Sequence, residues 1–431
     1  MFSHFGLRPA KPLYQRCLAA CAIVFILPAT SSLAATPLTL AEAERLALRS
    51  EPGRQALREH ADALREQATA ARQLPDPVLR IGLNNYPVES GGFSTEGMTN
   101  AGIGLRQTFP GRATLSLREE RYAALSRGMQ DRADARGRDV ATAVRAAWLD
   151  AWYWQRSREL VTESRPLFAD LAEITTSLYA VGRKSQQDVL RAELELSRID
   201  DRLIEIDRQH AAAVAALREW IGDDAERPLA GSTSLQSGIP DESDLMQRLN
   251  GHPALLAATA RVTASEREVD LAEERGKPSW SLDVGYSYRE GSLASGEPRS
   301  DFVSVGVTID LPFFRRTAVD SDLSAALHTR SAAAAEREQL KRQLVRQLES
   351  EFARWRDLER RLVLYDERIL VQSHQHAEAA LLAYQNDRAD FDDVMRAYIE
   401  DLNTQIEHIR LQAEQGQSYA LLANLGGITD E

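Results

Sequence analysis

Asp387, Asp390, Asp392 and Asp393 crowd carboxylates onto one short stretch of this chain. Such a group either caps and solvates the start of a helix or attracts cations by its charge. Little else is set for chemistry. Seven histidines follow His4: His60, His210, His252, His328, His374, His376 and His408. His374 and His376 are two apart on a helical pattern and face different sides. All seven read as ordinary surface histidines, and no metal site is assigned. Gly182-Arg183-Lys184-Ser185 lacks the upstream glycine of a phosphate-cradling loop. Neither a zinc-protease helix motif nor a nucleophile elbow occurs. The scattered carboxylates read as solvated helix faces, so no catalytic or cofactor-binding residue is assigned and an enzyme is not expected.

The composition agrees. The chain has 431 residues, with Lys plus Arg 52, Asp plus Glu 64 and net charge −12. An acidic chain without a basic patch argues against nucleic acid as partner. Only one apolar run is long enough to suggest a membrane segment, which excludes a multi-span helical protein. Arg8, Lys11 and Arg16 precede apolar Leu18 to Leu27, then Pro28 and Ser32-Leu33-Ala34. This is the pattern of a secretory signal peptide, residues 1–34. Removing its three positive charges takes −12 to −15. Both cysteines, Cys17 and Cys21, go with it, so the mature chain can form no disulfide. Leu18-Ala19-Ala20-Cys21 matches a lipoprotein box, but the apolar segment follows the cysteine instead of preceding it. An unacylated export product is expected.

The elements that must position these residues are strands and long helices. Val303, Val305, Val307, Ile309 and Leu311 alternate with Ser304, Gly306, Thr308 and Asp310. Trp280, Leu282, Val284, Tyr286 and Tyr288 alternate with Ser281, Asp283, Gly285 and Ser287. Period two with one apolar face means strands. Shorter runs put Leu79, Ile81 and Leu83 against Arg80, Gly82 and Asn84, and Ile103 and Leu105 against Gly104 and Arg106. Four strands, in two isolated pairs, make a poor soluble sandwich. The longer runs suit tilted membrane strands, with aromatic ends fitting an interfacial girdle. Four cannot close a barrel, and an open edge in hydrocarbon leaves backbone groups unsatisfied. Strands in lipid would therefore need several chains to share one barrel.

Arg112 to Tyr179 reads as one helix, broken in principle only at Pro166, and Arg315 to Tyr384 reads likewise. Each would span on the order of 100 Å. Return helices are expected over Gln186 to Ile221 and Glu242 to Gly276, with an irregular break from Gly222 to Pro240. Ala192, Leu196, Ile199, Leu203 and Ile206 form a coiled-coil stripe, as do Ile399, Leu402, Ile406 and Ile409.

The pattern repeats. Glu51-Pro52 and His252-Pro253 match at one offset; Gly104 and Pro110 match Gly306 and Pro312; Tyr179 and Asp188-Val189 match Tyr384 and Asp393-Val394. A duplication divides the mature chain into 35–230 and 231–431. Each unit holds a helix, a strand pair, a long helix and a return helix, and growth of the offset is read as loop insertion.

Together these pieces resemble the TolC family of outer-membrane efflux channels over essentially the whole mature chain. Leu38-Thr39-Leu40-Ala41-Glu42-Ala43 with Pro52 looks like that family's first helix, and Gln107-Thr108-Phe109-Pro110-Gly111-Arg112 like its strand-to-helix junction. Val181-Gly182-Arg183-Lys184-Ser185, followed by Val189, is similar to the adaptor-binding tip, although Arg183-Lys184 departs from the apolar residue usual after the glycine.

The resemblance implies a mainly α fold with a small β part: a long α-helical coiled-coil barrel continuing a membrane β-barrel, four strands per chain, closed by trimerisation. Leu79, Ile81, Leu83, Ile103, Leu105, Trp280, Leu282, Val284, Tyr286, Val303, Val305, Val307 and Ile309 would face lipid. The implied partners are a homotrimer, a periplasmic adaptor (membrane fusion) protein and an inner-membrane pump of the RND type. The implied location is a Gram-negative outer membrane. Gln73-Leu74-Pro75-Asp76-Pro77 and Asn84-Asn85-Tyr86-Pro87-Val88 look like the heavy-metal cation branch. The expected function is a passive export duct without cofactor. Alternatives are a multidrug or type I secretion duct, or a periplasmic adaptor. Asp387, Asp390, Asp392 and Asp393 would ring the periplasmic gate, paired to bases such as Arg183 or Lys184, or simply cap the helix.

Overall fold

The computed structural model describes residues 36–49, 51–231, 238–386 and 388–428. The expected signal peptide, with Cys17 and Cys21, lies outside the described residues, as does Asp387.

The chain opens with helices α1 (Leu40–Arg49) and α2 (Pro52–Ala71), then strands β1 (Val78–Asn84) and β2 (Asn100–Phe109). Helix α3 (Thr114–Ala180) runs out and α4 (Gln186–Ile221) returns. The second half repeats that order with α5 (Glu242–Leu249), α6 (Pro253–Glu274), β3 (Ser279–Tyr288) and β4 (Phe302–Asp310). It continues with α7 (Arg316–Leu364), α8 (Leu370–Gln385) and α9 (Phe391–Gly426).

Helix α3 is unbroken over 67 residues. Pro166 removes the donor that would meet the Thr162 carbonyl, at a cost of about 3 kcal/mol in an isolated helix. Packing offsets this: Val161, Phe168 and Leu171 beside it are buried in one core with Ala192, Ile199 and Ile206 of α4 and Tyr384, Phe391, Leu402 and Ile406. The coiled-coil stripe of α4 is as expected, with Leu196 and Leu203 half-buried between the three buried members. A second core gathers Val140, Val144, Trp148 and Leu149 with Leu38, Leu40, Ala43 and Leu217. There the Trp148 indole Nε1 donates to the Leu38 carbonyl at 3.2 Å, and Leu38 bridges to Leu229.

Four features differ from expectation. The second long helix is not uniform: between α7 and α8, Tyr365–Ile369 forms a wider π turn. No proline or glycine marks it. The return helix expected over 242–276 divides, because Pro253 starts α6 afresh behind an Asn250–His252 turn. His252 is not a surface histidine: it is 4% exposed and caps α6. The two strand pairs are not isolated. β2 pairs antiparallel with β3, giving one four-stranded sheet in the order β1-β2-β3-β4.

Candidate functional site

The sheet's register sorts its side chains. Leu79 lies opposite Leu105, Ile81 opposite Ile103, Ile103 opposite Tyr286, Leu105 opposite Val284, Val284 opposite Val305 and Tyr286 opposite Val303. Adding Leu83, Trp280, Leu282, Val307 and Ile309, every strand residue picked out by alternation falls on one face. That face is open: Ile81 is 74% exposed and Val305 70%. β2 also runs further than its apolar alternation, so Gln107 and Phe109 join this face. Phe109 stacks on Trp280 with centroids 4.2 Å apart.

The opposite face is polar and slender. Gly82 pairs with Gly102 and Gly104 with Gly285. On it the Arg106 guanidinium donates to the Asp283 carboxylate at 2.6 Å, and Thr308 donates to the other oxygen at 3.0 Å. Sequence reasoning placed these three on the polar side but did not bring them together. Arg106 and Asp283 come from different halves, and only the β2–β3 register makes them neighbours. Beyond the strands, Arg299 donates to the carbonyls of Ser94, Glu96 and Glu290, tying the two hairpin loops to each other.

The far helix ends form two turns. In the first, Gly182 takes φ +74°, a left-handed conformation that glycine adopts without strain. The Arg183 amide then donates back to the Leu178 carbonyl at 2.9 Å. Ser185 caps α4 in a full capping box: Asp188 returns a carboxylate bond to the Ser185 amide at 3.0 Å. Val181 is exposed and Val189 half-buried. In the second turn the Arg388 amide donates to the Ala383 carbonyl at 2.8 Å. Asp390 stands at the N-cap with φ −84° and ψ 159°, but its side chain makes no cap bond. Asp390 and Asp393 are exposed. Asp392 ion-pairs with Arg191, a residue sequence reasoning did not select. Lys184 places its Nζ 4.6 Å from the Tyr384 ring centroid instead of meeting a carboxylate.

Among the described residues, no group of three or more His, Cys, Asp or Glu is placed to hold a metal. Among them too, no helix is long and apolar enough to cross a membrane.

Residues 245–427 match the family described as Outer membrane efflux protein. The chain is 28% identical over 188 residues to Protein CyaE of Bordetella pertussis, a match covering 41% of this chain and 38% of that protein. The chain thus matches well under half the length of this curated relative. In fold it is similar to CusC, whose structures describe transmembrane channel formation (TM-score 0.75, 15% identity, 96% of this chain and 99% of that one). It is also similar to the outer membrane protein VceC from Vibrio cholerae (TM-score 0.73, 19% identity, 90% of this chain and 96% of that one). Residues 245–427 thus carry the sequence signature of the outer membrane efflux protein family, and most of the chain shares the fold of these solved channels. These are channel proteins, not enzymes.

Proposed function

We propose that three copies of this chain form an outer-membrane export duct. One observation carries the reading: the four-stranded sheet exposes a continuous apolar face, and its edges, β1 and β4, have no strand partner among the described residues. In hydrocarbon each unpaired backbone group costs several kcal/mol, so the edges must be closed. Three four-stranded sheets make twelve strands, within the range of closed membrane barrels. β1 of one copy would pair with β4 of the next. The slender polar face then lines the bore.

The helices continue the bore into the periplasm, and the turns at Val181–Ser185 and Asp390–Asp393 form its mouth. The first turn, with Val189, is the docking surface for a periplasmic adaptor protein, which joins the duct to an inner-membrane RND pump. Asp390, Asp392 and Asp393 are the gate acids, three copies of each; Asp387 belongs to the same stretch of sequence. Units 35–230 and 231–431 are duplicated. Their shared element order and the same return bond at Arg183 and Arg388 support this. The cargo is a heavy-metal cation, a reading supported by the Gln73–Pro77 and Asn84–Val88 segments and by the acidic mouth.

Fractionation of expressing cells, with electrophoresis of unheated and heated samples, tests the duct. A heat-modifiable trimer in the outer membrane is expected, and a monomer soluble without detergent would refute it. Deleting the gene should sensitise cells to heavy-metal salts more than to drugs; the reverse would reassign the cargo.

A further inference from the structure

At the helix end of the sheet the apolar face does not stop at the last strand pair. Leu311 continues the alternation of β4, and Phe313 and Phe314 follow in a short 3₁₀ turn. Phe314 is 102% exposed, and Phe313 and Leu311 are also open. Arg315 and Arg316 come next, both exposed. Three other arginines near this end hold carboxylates: Arg72 holds Glu119, Arg121 holds Glu268, and Arg275 holds Asp322. Arg315 and Arg316 have no ion-pair partner among the described residues. The stacked Phe109–Trp280 pair marks the same end, because Trp280 lies opposite both Phe109 and Ile309.

An exposed aromatic pair is costly to leave in water, and two guanidiniums without ion-pair partners stand directly beside it. Together they fit a boundary between acyl chains and charged headgroups. Aromatic rings favour that depth, and guanidinium matches phosphate as a fork of donors. We propose that Phe313, Phe314, Arg315 and Arg316 form a binding site for anionic phospholipid in the leaflet on the helix side. The rings enter the acyl boundary and the two guanidiniums hold the phosphates. This site rests on the membrane reading of the sheet and adds to it a headgroup preference, by which the chain selects the lipid around its collar.

The occupant follows from charge and continuity. The site is cationic, which selects an anionic partner, and it continues a face already open to acyl chains, which selects a lipid over a soluble anion. Each basic residue near such a surface is worth roughly a fivefold preference.

The test is native mass spectrometry of the full chain in detergent, titrated separately with dioleoylphosphatidylglycerol and dioleoylphosphatidylcholine. The native chain should retain phosphatidylglycerol roughly 25-fold more tightly, fivefold for each of the two arginines. R315Q/R316Q should bind the two lipids equally, R315K/R316K should keep most of the preference, and F313A/F314A should weaken both lipids alike. A preference that survives R315Q/R316Q, or a native chain that shows none, overturns the site. Heat-modifiability of the same samples is the separate control. Its absence in the native chain defeats the membrane reading itself, whereas its presence without a lipid preference defeats this inference alone.

Discussion

Glu51 and His252 hold matching places in the two halves, each the N-cap before a proline that starts a helix. Glu51 accepts from the amides of Gly53 and Arg54 and pairs with Arg136 at 2.9 Å. Burial works to raise its pKa, but Arg136 and the two amides outweigh it and hold the carboxyl below its usual 4.5. His252 does the same job with one imidazole. Nδ1 accepts from the Ala254 amide at 3.2 Å, which leaves the proton of the neutral ring on Nε2, 3.2 Å from Asn424 Oδ1. Burial, aided by Arg138, pushes its pKa below 6.5. The same backbone device is thus set to fail at different acidity. Both folded pKa values lie below their unfolded ones, so each cap's contribution is whole above the unfolded value and drains as pH falls through the folded one. For His252 that loss begins below 6.5, and for Glu51 below 4.5.

The halves also diverge at their far turns. Ser185 spends its hydroxyl and Asp188 its carboxylate on a capping box, whereas Asp390 has the same extended backbone and spends nothing on the cap. Of the two readings of the acid cluster, the capping one therefore loses its geometric support at Asp390.

The largest expected effect probes what the halves share. I81R and V305R lie one in each half on the same sheet face, and each should cost about 2–4 kcal/mol of folding stability in bilayers. S304R, on the other face of β4, should cost far less. A marked inequality between I81R and V305R would break the single-face picture; denaturant unfolding in vesicles measures it. Next comes the caps' acidity. Thermal unfolding between about pH 7.5 and 5.5 should show a loss that H252N, a non-titrating cap, flattens and E51Q leaves in place. At the far turns, S185A should cost about 1 kcal/mol and D390A a few tenths at most, compared by thermal melting. D390N/D393N should leave stability unchanged yet lower cation selectivity in planar bilayers. Unchanged selectivity would retire the gate acids.

The sheet's faces were legible because period two needs only local sequence. Its joining was not: the β2–β3 pairing brings Arg106 to Asp283 across the whole first helical hairpin, and nothing local encodes that register. Long helices and the α4 stripe were legible from spacing. The burial of His252 was hidden because a single histidine carries no period, and Asn424, which fixes it, lies on the last helix. Arg191 was missed as the partner of Asp392 because the bases of the first turn itself, Arg183 and Lys184, drew the expectation, whereas Arg191 lies within α4 beyond that turn.

The π turn at Tyr365–Ile369 has a consequence for how the second long helix keeps its seat. Leu348 and Leu362 are buried two heptads apart, and Ala377 and Tyr384 are buried one heptad apart. From Leu362 to Ala377 the spacing is two heptads and one residue more. The wide turn takes in that surplus residue, so the buried seam changes phase there instead of spiralling off its neighbour. Pro312 to Tyr384 is likewise three residues longer than Pro110 to Tyr179. Because both stretches are almost wholly helical, that difference lies within the helix and not in loops. The long rod is in effect two splined lengths, each indexed to its own groove, joined by one overwide coil.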